Sequence, residues 1–145
     1  MNSVEDLDVF KLAHQLALRT YSATKGFPKE ELFSLGDQTR RAAGSVGMNL
    51  MEGAMRLRSK EYRKFVGIAR GSAGEVCYQL LLAKDLNYIP NEMYQELRSG
   101  YERVIQMLSR LSQSLADAPR PRLFAHDTCT VFSRPRPRPR PLSFY

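Results

Sequence analysis

Four polar residues stand where a plain helical bundle would carry leucine or alanine: Asn49, Glu52, Ser72 and Glu75. Asn49 and Glu52 are three residues apart, as are Ser72 and Glu75, so each pair shares a helix face. Two carboxylates drawn together on facing helices would be raw material for general acid–base chemistry. The same four residues also suit a hydrogen-bonded structural network that fixes helix register or a subunit contact. Buried carboxylates demand partners, and Arg40, Arg41 or Arg70 can supply them. The network is the expected role. Catalysis through Glu52 and Glu75 would require an open polar pocket around both.

A second grouping is cationic. Eight basic residues (Arg40, Arg41, Arg56, Arg58, Lys60, Arg63, Lys64 and Arg70) stand against Glu52 and Glu61, a local balance of +6. Five of them, Arg56, Arg58, Lys60, Arg63 and Lys64, gather where a short link enters a helix. Cations beside a helix N-terminus suit phosphate oxygens, which makes these five the candidate nucleic-acid contacts. A solvated loop would carry the same charges, so the residues name a chemistry before they name a ligand.

Other chemistries lack their residues. The sequence has no glycine-rich phosphate loop, no G-x-S-x-G elbow and no paired-cysteine metal spacing. A di-metal bundle needs Glu-x-x-His pairs, and neither His14 nor His126 has a glutamate three residues before it. His14 is expected as a partly buried or surface side chain. Cys77 and Cys129 fall in unlike contexts and make no disulfide framework, and nothing near Cys77 in sequence lowers its thiol pKa. The expectation is a protein with no enzymatic activity, no cofactor and no metal. The acidic start MNSVEDLDVF leads into no apolar run with a cleavage site, so a cytoplasmic location is expected. No stretch approaches the roughly 20 apolar residues that cross a bilayer.

Four helices are needed to position these residues. The first is predicted from Val4 to Lys25, capped by Ser3 and stopped by Gly26 and Phe27-Pro28. Its stripe of Val9, Phe10, Leu12, Ala13, Leu16, Ala17 and Tyr21 is wide enough to face two neighbours. A short turn at Pro28–Glu31 precedes the second helix, Gly36 to Met55, whose Gly44, Gly47 and Gly53 imply tight packing or a bend. The third runs from an N-cap at Ser59 to about Leu86, with Gly67, Gly71 and Gly74 on one face suggesting close helix–helix approach. The fourth, Asn91 to Ala116, repeats Tyr94, Leu97, Tyr101, Val104, Leu108, Leu111 and Leu115 as an unbroken heptad seam. Short links between them predict an all-α, antiparallel up-down-up-down four-helix bundle over residues 1–118.

From Pro119 the composition changes. Six of the eight prolines lie there, with a Pro-Arg repeat from Arg134 to Pro141. Alternating proline forbids helix, so 119–145 is read as a disordered Pro/Arg-rich C-terminal tail. It also holds most of the excess charge. Residues 1–118 carry 16 basic against 14 acidic side chains, while 119–145 carry 6 against 1. The total of +7 is therefore weak evidence that the bundle itself binds nucleic acid.

The segments F-P-K-E-E-L-F-S-L (27–35), Q-T-R-R-A-A-G-S-V (38–46), N-L-M-E-G (49–53), S-K-E-Y-R-K-F (59–65), A-R-G-S-A-G-E (69–75) and L-L-A-K-D-L-N-Y-I (81–89) appear in that order. Together they resemble the four-helix-bundle proteins encoded in 23S rRNA intervening sequences, over roughly Val4 to Leu115. The resemblance implies an antiparallel bundle that assembles as a ring-like homopentamer, with no established biochemical activity. The family is similar to accessory proteins of diversity-generating retroelements, which bind nucleic acid and a reverse transcriptase. RNA and a reverse transcriptase-like protein are therefore implied partners. Gly47 stands where the family usually has proline, which implies a softer bend in the second helix. The combined expectation is an oligomeric, non-enzymatic bundle that binds RNA through Arg56, Arg58, Lys60, Arg63 and Lys64. The alternative is a protein-interaction scaffold that does not touch nucleic acid.

Overall fold

Ser3 opens the described chain with a capping box. Its hydroxyl accepts from the Glu5 amide at 3.3 Å, and its own amide donates to the Asp6 carboxylate at 2.9 Å. The cap serves a single 3₁₀ turn, Val4–Asp6, because Leu7 then adopts extended backbone (φ −66°, ψ 131°). The first long helix thus starts later than its apolar pattern predicts. This is a computed structural model, and it describes residues 3–117; the predicted tail and the end of the 1–118 domain lie outside them.

Helix α1 spans Asp8–Thr24, α2 Leu35–Ala54, α3 Ser59–Asp85 and α4 Asn91–Asp117, with a 3₁₀ turn at Lys29–Glu31 between α1 and α2. There is no strand among the described residues. Each helix packs on its neighbours in sequence, and α1 closes the square against α4. Ser45 bonds Ser72 while Gly53 lies against Tyr62 and Phe65, so α2 runs opposite to α3. Arg63 meets Ser112 while Lys84 lies over Tyr94, so α3 runs opposite to α4, as the predicted up-down-up-down order requires. No helix among the described residues is long and apolar enough to cross a membrane.

The core follows the periodicity. Val46 and Leu50 of α2, Val66, Val76 and Leu80 of α3, and Leu97, Tyr101, Val104 and Leu108 of α4 are essentially inaccessible. Full burial of each leucine stabilises the bundle by about 1.5–3 kcal/mol. A polar contact crosses this core between α1 and α4. Thr20 and Tyr101 share a hydroxyl–hydroxyl bond of 2.8 Å, and Thr20 also bonds the Leu16 carbonyl at 2.7 Å. Burial raises the Tyr101 phenol to about 12, partly offset by the bond to Thr20.

Helix ends and glycines depart from expectation in instructive ways. Gly26 follows α1 as the pattern predicts, but its backbone is not left-handed, and its amide bonds the Ala23 carbonyl at 3.2 Å. The left-handed cap belongs to Asn87 (φ 62°) after α3, with Tyr88 N–H to Ala83 at 2.8 Å and Asn87 N–H to Lys84 at 2.9 Å. Gly53 does mark close approach, since a Cβ there would sit 2.7 Å from the Tyr62 ring and 2.8 Å from Phe65 Cβ. Gly67, Gly71 and Gly74 do not. A Cβ on any of them would meet nothing within 4 Å, so the close packing read from their spacing is absent within the bundle.

Candidate functional site

Helix α2 ends at Ala54, and the residues up to Arg58 turn the chain into α3 at one end of the bundle. The turn is tight: the Arg56 amide donates to the Gly53 carbonyl at 3.1 Å. Gly53 lets α2 settle against Tyr62 and Phe65 there, which fixes the angle at which α3 departs. Ser59 is not the N-cap. It is the first helical residue, and Arg58 takes the cap position in extended backbone (φ −116°, ψ 135°) with no side-chain hydrogen bond. Arginine has no acceptor, so the first amides of α3 keep their partial positive charge unanswered by a cap.

The five candidate cations divide at this tip. Arg56 is engaged within the chain: it donates to Glu52 at 2.6 Å, and its guanidinium lies 4.9 Å from the Phe65 ring centre. Arg63 donates to the Ser112 hydroxyl of α4 at 3.2 Å, tying α3 to α4. Arg58, Lys60 and Lys64 are exposed and make no ion pair or side-chain hydrogen bond among the described residues. Leu57 stands fully exposed beside them.

The polar quartet does not assemble as its spacing predicts. Asn49 donates to the Ser45 carbonyl at 2.8 Å and to the Ser45 hydroxyl at 2.9 Å, and Ser45 shares a 2.8 Å bond with Ser72 across the α2–α3 contact. Ser72 completes the chain on the Ile68 carbonyl at 3.1 Å. The bridging residue, Ser45, escaped the sequence reading, although it lies one helical turn before Asn49 and so shares its face. The two carboxylates lie outside this network. Glu52 is half-exposed and pairs with Arg56, and Glu75 is exposed with no partner among the described residues. Nor do the expected arginines serve the quartet. Arg40 bonds the Leu32 carbonyl at 2.9 Å, Arg41 pairs with Asp37 at 2.9 Å, and Arg70 lines the α3–α4 groove.

Between α1 and α2 lies a surface that the sequence reading did not single out. It is an apolar groove of about 560 Å³, walled by Phe10, Leu18, Tyr21, Met48, Met51 and Met55, with Gly44 and Gly47 along it. Leu18, Met48 and Met55 are 59%, 68% and 70% exposed. His14, on the surface as expected, stacks its ring on Phe10 at 6.3 Å in the same groove. A second groove of about 530 Å³ between α3 and α4 is more polar, with Arg70, Ser109 and Ser112 beside the open glycine stripe.

Little else offers reactive chemistry. Cys77 is buried, and burial raises its thiol above the usual value, with nearby Arg98 pulling the other way. Among the described residues no three or more of His, Cys, Asp and Glu cluster as metal ligands.

Comparison with known proteins adds a family and a fold. The family model described as 23S rRNA-intervening sequence protein matches residues 5–110, a span that contains α1, α2, α3 and most of α4. The chain is also similar to a crystal structure of a protein of unknown function from the S23 ribosomal protein family of Bacteroides thetaiotaomicron VPI-5482. The two share 22% identity and a TM-score of 0.68, over 72% of this chain and 98% of that one. No curated protein matches the chain.

Proposed function

The chain belongs to the family of 23S rRNA-intervening sequence proteins, and on that premise we propose that it is a self-associating, non-enzymatic bundle that holds RNA at its α2–α3 tip. The observation that carries this reading is the state of Arg58, Lys60 and Lys64. These three cations have no intramolecular partner among the described residues; Arg58 and Lys60 stand at a helix start with no side-chain cap, and Lys64 follows one turn beyond Lys60. Helix amides and free cations attract the same phosphate oxygens; no side chain caps the amides, and Glu61 in the first turn of α3 offsets one of the charges. Arg56 is offset by Glu52, whereas Arg63, fixed by the neutral Ser112 hydroxyl, both braces the tip and keeps its charge.

A single tip is a modest site. Three phosphate contacts leave binding weak at physiological salt, because released counterions set the affinity. Self-association would repeat the tip and raise the effective concentration of each contact. The exposed apolar groove between α1 and α2 supports this part of the reading, since contiguous apolar surface of this kind marks interaction sites. The proposed setting is the cytoplasm.

That groove also favours a second reading, in which the bundle is a scaffold for a protein partner, such as a reverse transcriptase-like one, and leaves nucleic acid untouched. One titration separates them. Fluorescence anisotropy of a labelled RNA hairpin should show binding at low salt that weakens at least tenfold in the variant R58A/K60A/K64A. Equal affinity of wild type and variant, or no binding at all, would favour the scaffold.

A further inference from the structure

The turn between α1 and α2 carries a phenylalanine that the bundle does not use. Phe33 is 89% exposed and its neighbour Leu32 is 47% exposed. This is not a loose loop. Arg40 donates to the Leu32 carbonyl at 2.9 Å and to Thr24 Oγ1 at 3.3 Å. On the other side, Glu31 accepts from the Ser34 hydroxyl, from the Leu35 amide at 3.2 Å and from the Tyr88 hydroxyl at 3.1 Å. Phe27 anchors the base of the turn, buried against Tyr88 with ring centres 5.5 Å apart. The backbone on both sides of Phe33 is therefore held, and the ring projects from a rigid mount. An aromatic anchor of this kind loses little conformational freedom on binding.

The same molecule carries a receptor of matching chemistry. The α1–α2 groove offers the rings of Phe10 and Tyr21 for edge contacts and three methionines, whose thioethers adapt to an inserted ring. One unpaired charge stands on each side. Phe33 follows Glu30 and Glu31, with Lys29 and Arg40 beside them, and Glu30 makes no ion pair among the described residues. Lys11 lies one helical turn before His14 and two before Leu18, Arg41 two before Met48, and Arg56 directly after Met55, so cations border the groove. Glu52 and Asp37 offset two of these, through their pairs with Arg56 and Arg41, and leave Lys11 free to meet Glu30.

We propose that Phe33 of one copy inserts into the α1–α2 groove of a second copy, with Glu30 beside Lys11. This rests on the self-association in the proposed function and gives it a specific contact. The knob and the groove are different parts of the surface; in a one-way contact, one copy of a pair keeps its groove free and the other keeps its knob free. Such a contact closes into a ring if the rotation per copy allows and otherwise extends as a filament.

The test uses the full chain and two exposed substitutions, F33D in the knob and M48K in the groove. Helix content by circular dichroism checks that both variants fold. Light scattering after size exclusion then gives the mass of wild type, of each variant alone and of an equimolar mixture. The expected result is an assembled wild type, two variants that each run as the 16.6 kDa monomer, and a mixture that forms a 1:1 dimer. The dimer arises because the M48K copy still has its knob and the F33D copy still has its groove. A contact made by the same patch on both copies would give no such rescue. If wild type assembles but F33D assembles equally well, or the mixture stays monomeric, the knob-in-groove contact is wrong and self-association survives. A monomeric wild type across the concentration range overturns both.

Discussion

Replacing Gly53 by alanine tests the packing that sets the tip. The added methyl would lie 2.7 Å from Tyr62 Cδ2 and 2.8 Å from Phe65 Cβ, both closer than real Cβ contacts. The Tyr62 ring can rotate away, but Phe65 Cβ is fixed to the α3 backbone, so α3 must shift. Overpacking of this kind costs about 1–3 kcal/mol, and alanine returns at most about 1 kcal/mol of helix propensity. The net expectation is a loss of up to about 2 kcal/mol, or up to roughly 8 °C in Tm for a bundle of this size. Gly71 is the matched control. A Cβ there meets nothing, so G71A should gain about 0.5–1 kcal/mol from propensity alone. Thermal unfolding followed at 222 nm, repeated at several protein concentrations, measures both. A Tm for G53A above wild type would refute the close α2–α3 approach. A lower Tm for G71A would mean that the open stripe on α3 is filled when copies associate.

Three further outcomes follow from single contacts. In the buried Thr20–Tyr101 pair, Y101F leaves Thr20 its bond to Leu16 and should cost about 1 kcal/mol, whereas T20V strands a buried phenol and should cost about 1–3 kcal/mol; urea denaturation of both variants ranks them. Glu31 is held below its ordinary carboxylate pKa of 4.5, first by the Ser34 hydroxyl and then by the Leu35 amide. Its depressed folded pKa gives stability that is present above the unfolded value and lost as pH falls through the folded one. E31Q should therefore flatten the acid limb of a stability–pH curve while lowering stability at neutral pH. Burial raises the Cys77 thiol, so in a C129S background it should react with an aromatic disulfide far more slowly than in denaturant; comparable rates would contradict its burial.

Much of the fold could be read from the heptad seam of α4, because Tyr94, Leu97, Tyr101, Val104 and Leu108 repeat at the spacing that a neighbouring helix selects, and all are buried. Apolar periodicity cannot say whether a stripe meets its own core or open solvent. For that reason Phe10 and Tyr21 read as bundle-facing residues, yet they line an open groove with Met48 and Met55. Glycine spacing has the same ambiguity: Gly53 and the Gly67–Gly71–Gly74 stripe look alike in sequence, and only the course of α2 distinguishes them. The tip's charge was plain in the sequence. Which cations stay free was not, because the engagement of Arg63 with Ser112 joins residues 49 positions apart. The quartet misled through rotation: Glu52, three residues beyond Asn49, turns away from Ser72 and toward α1.

The most direct test of RNA binding at the tip is its salt dependence. Anisotropy titrations with a labelled RNA hairpin, from about 50 to 200 mM salt, give the slope of log affinity against log salt for the full chain and for a chain ending at Ala118. Each phosphate contact contributes a slope of about 0.7–0.9. The account predicts that the shortened chain keeps a clear slope and that R58A/K60A/K64A removes about 2 to 3 from it. A slope that vanishes when residues 119–145 are removed, or is unchanged by the triple substitution, would contradict it.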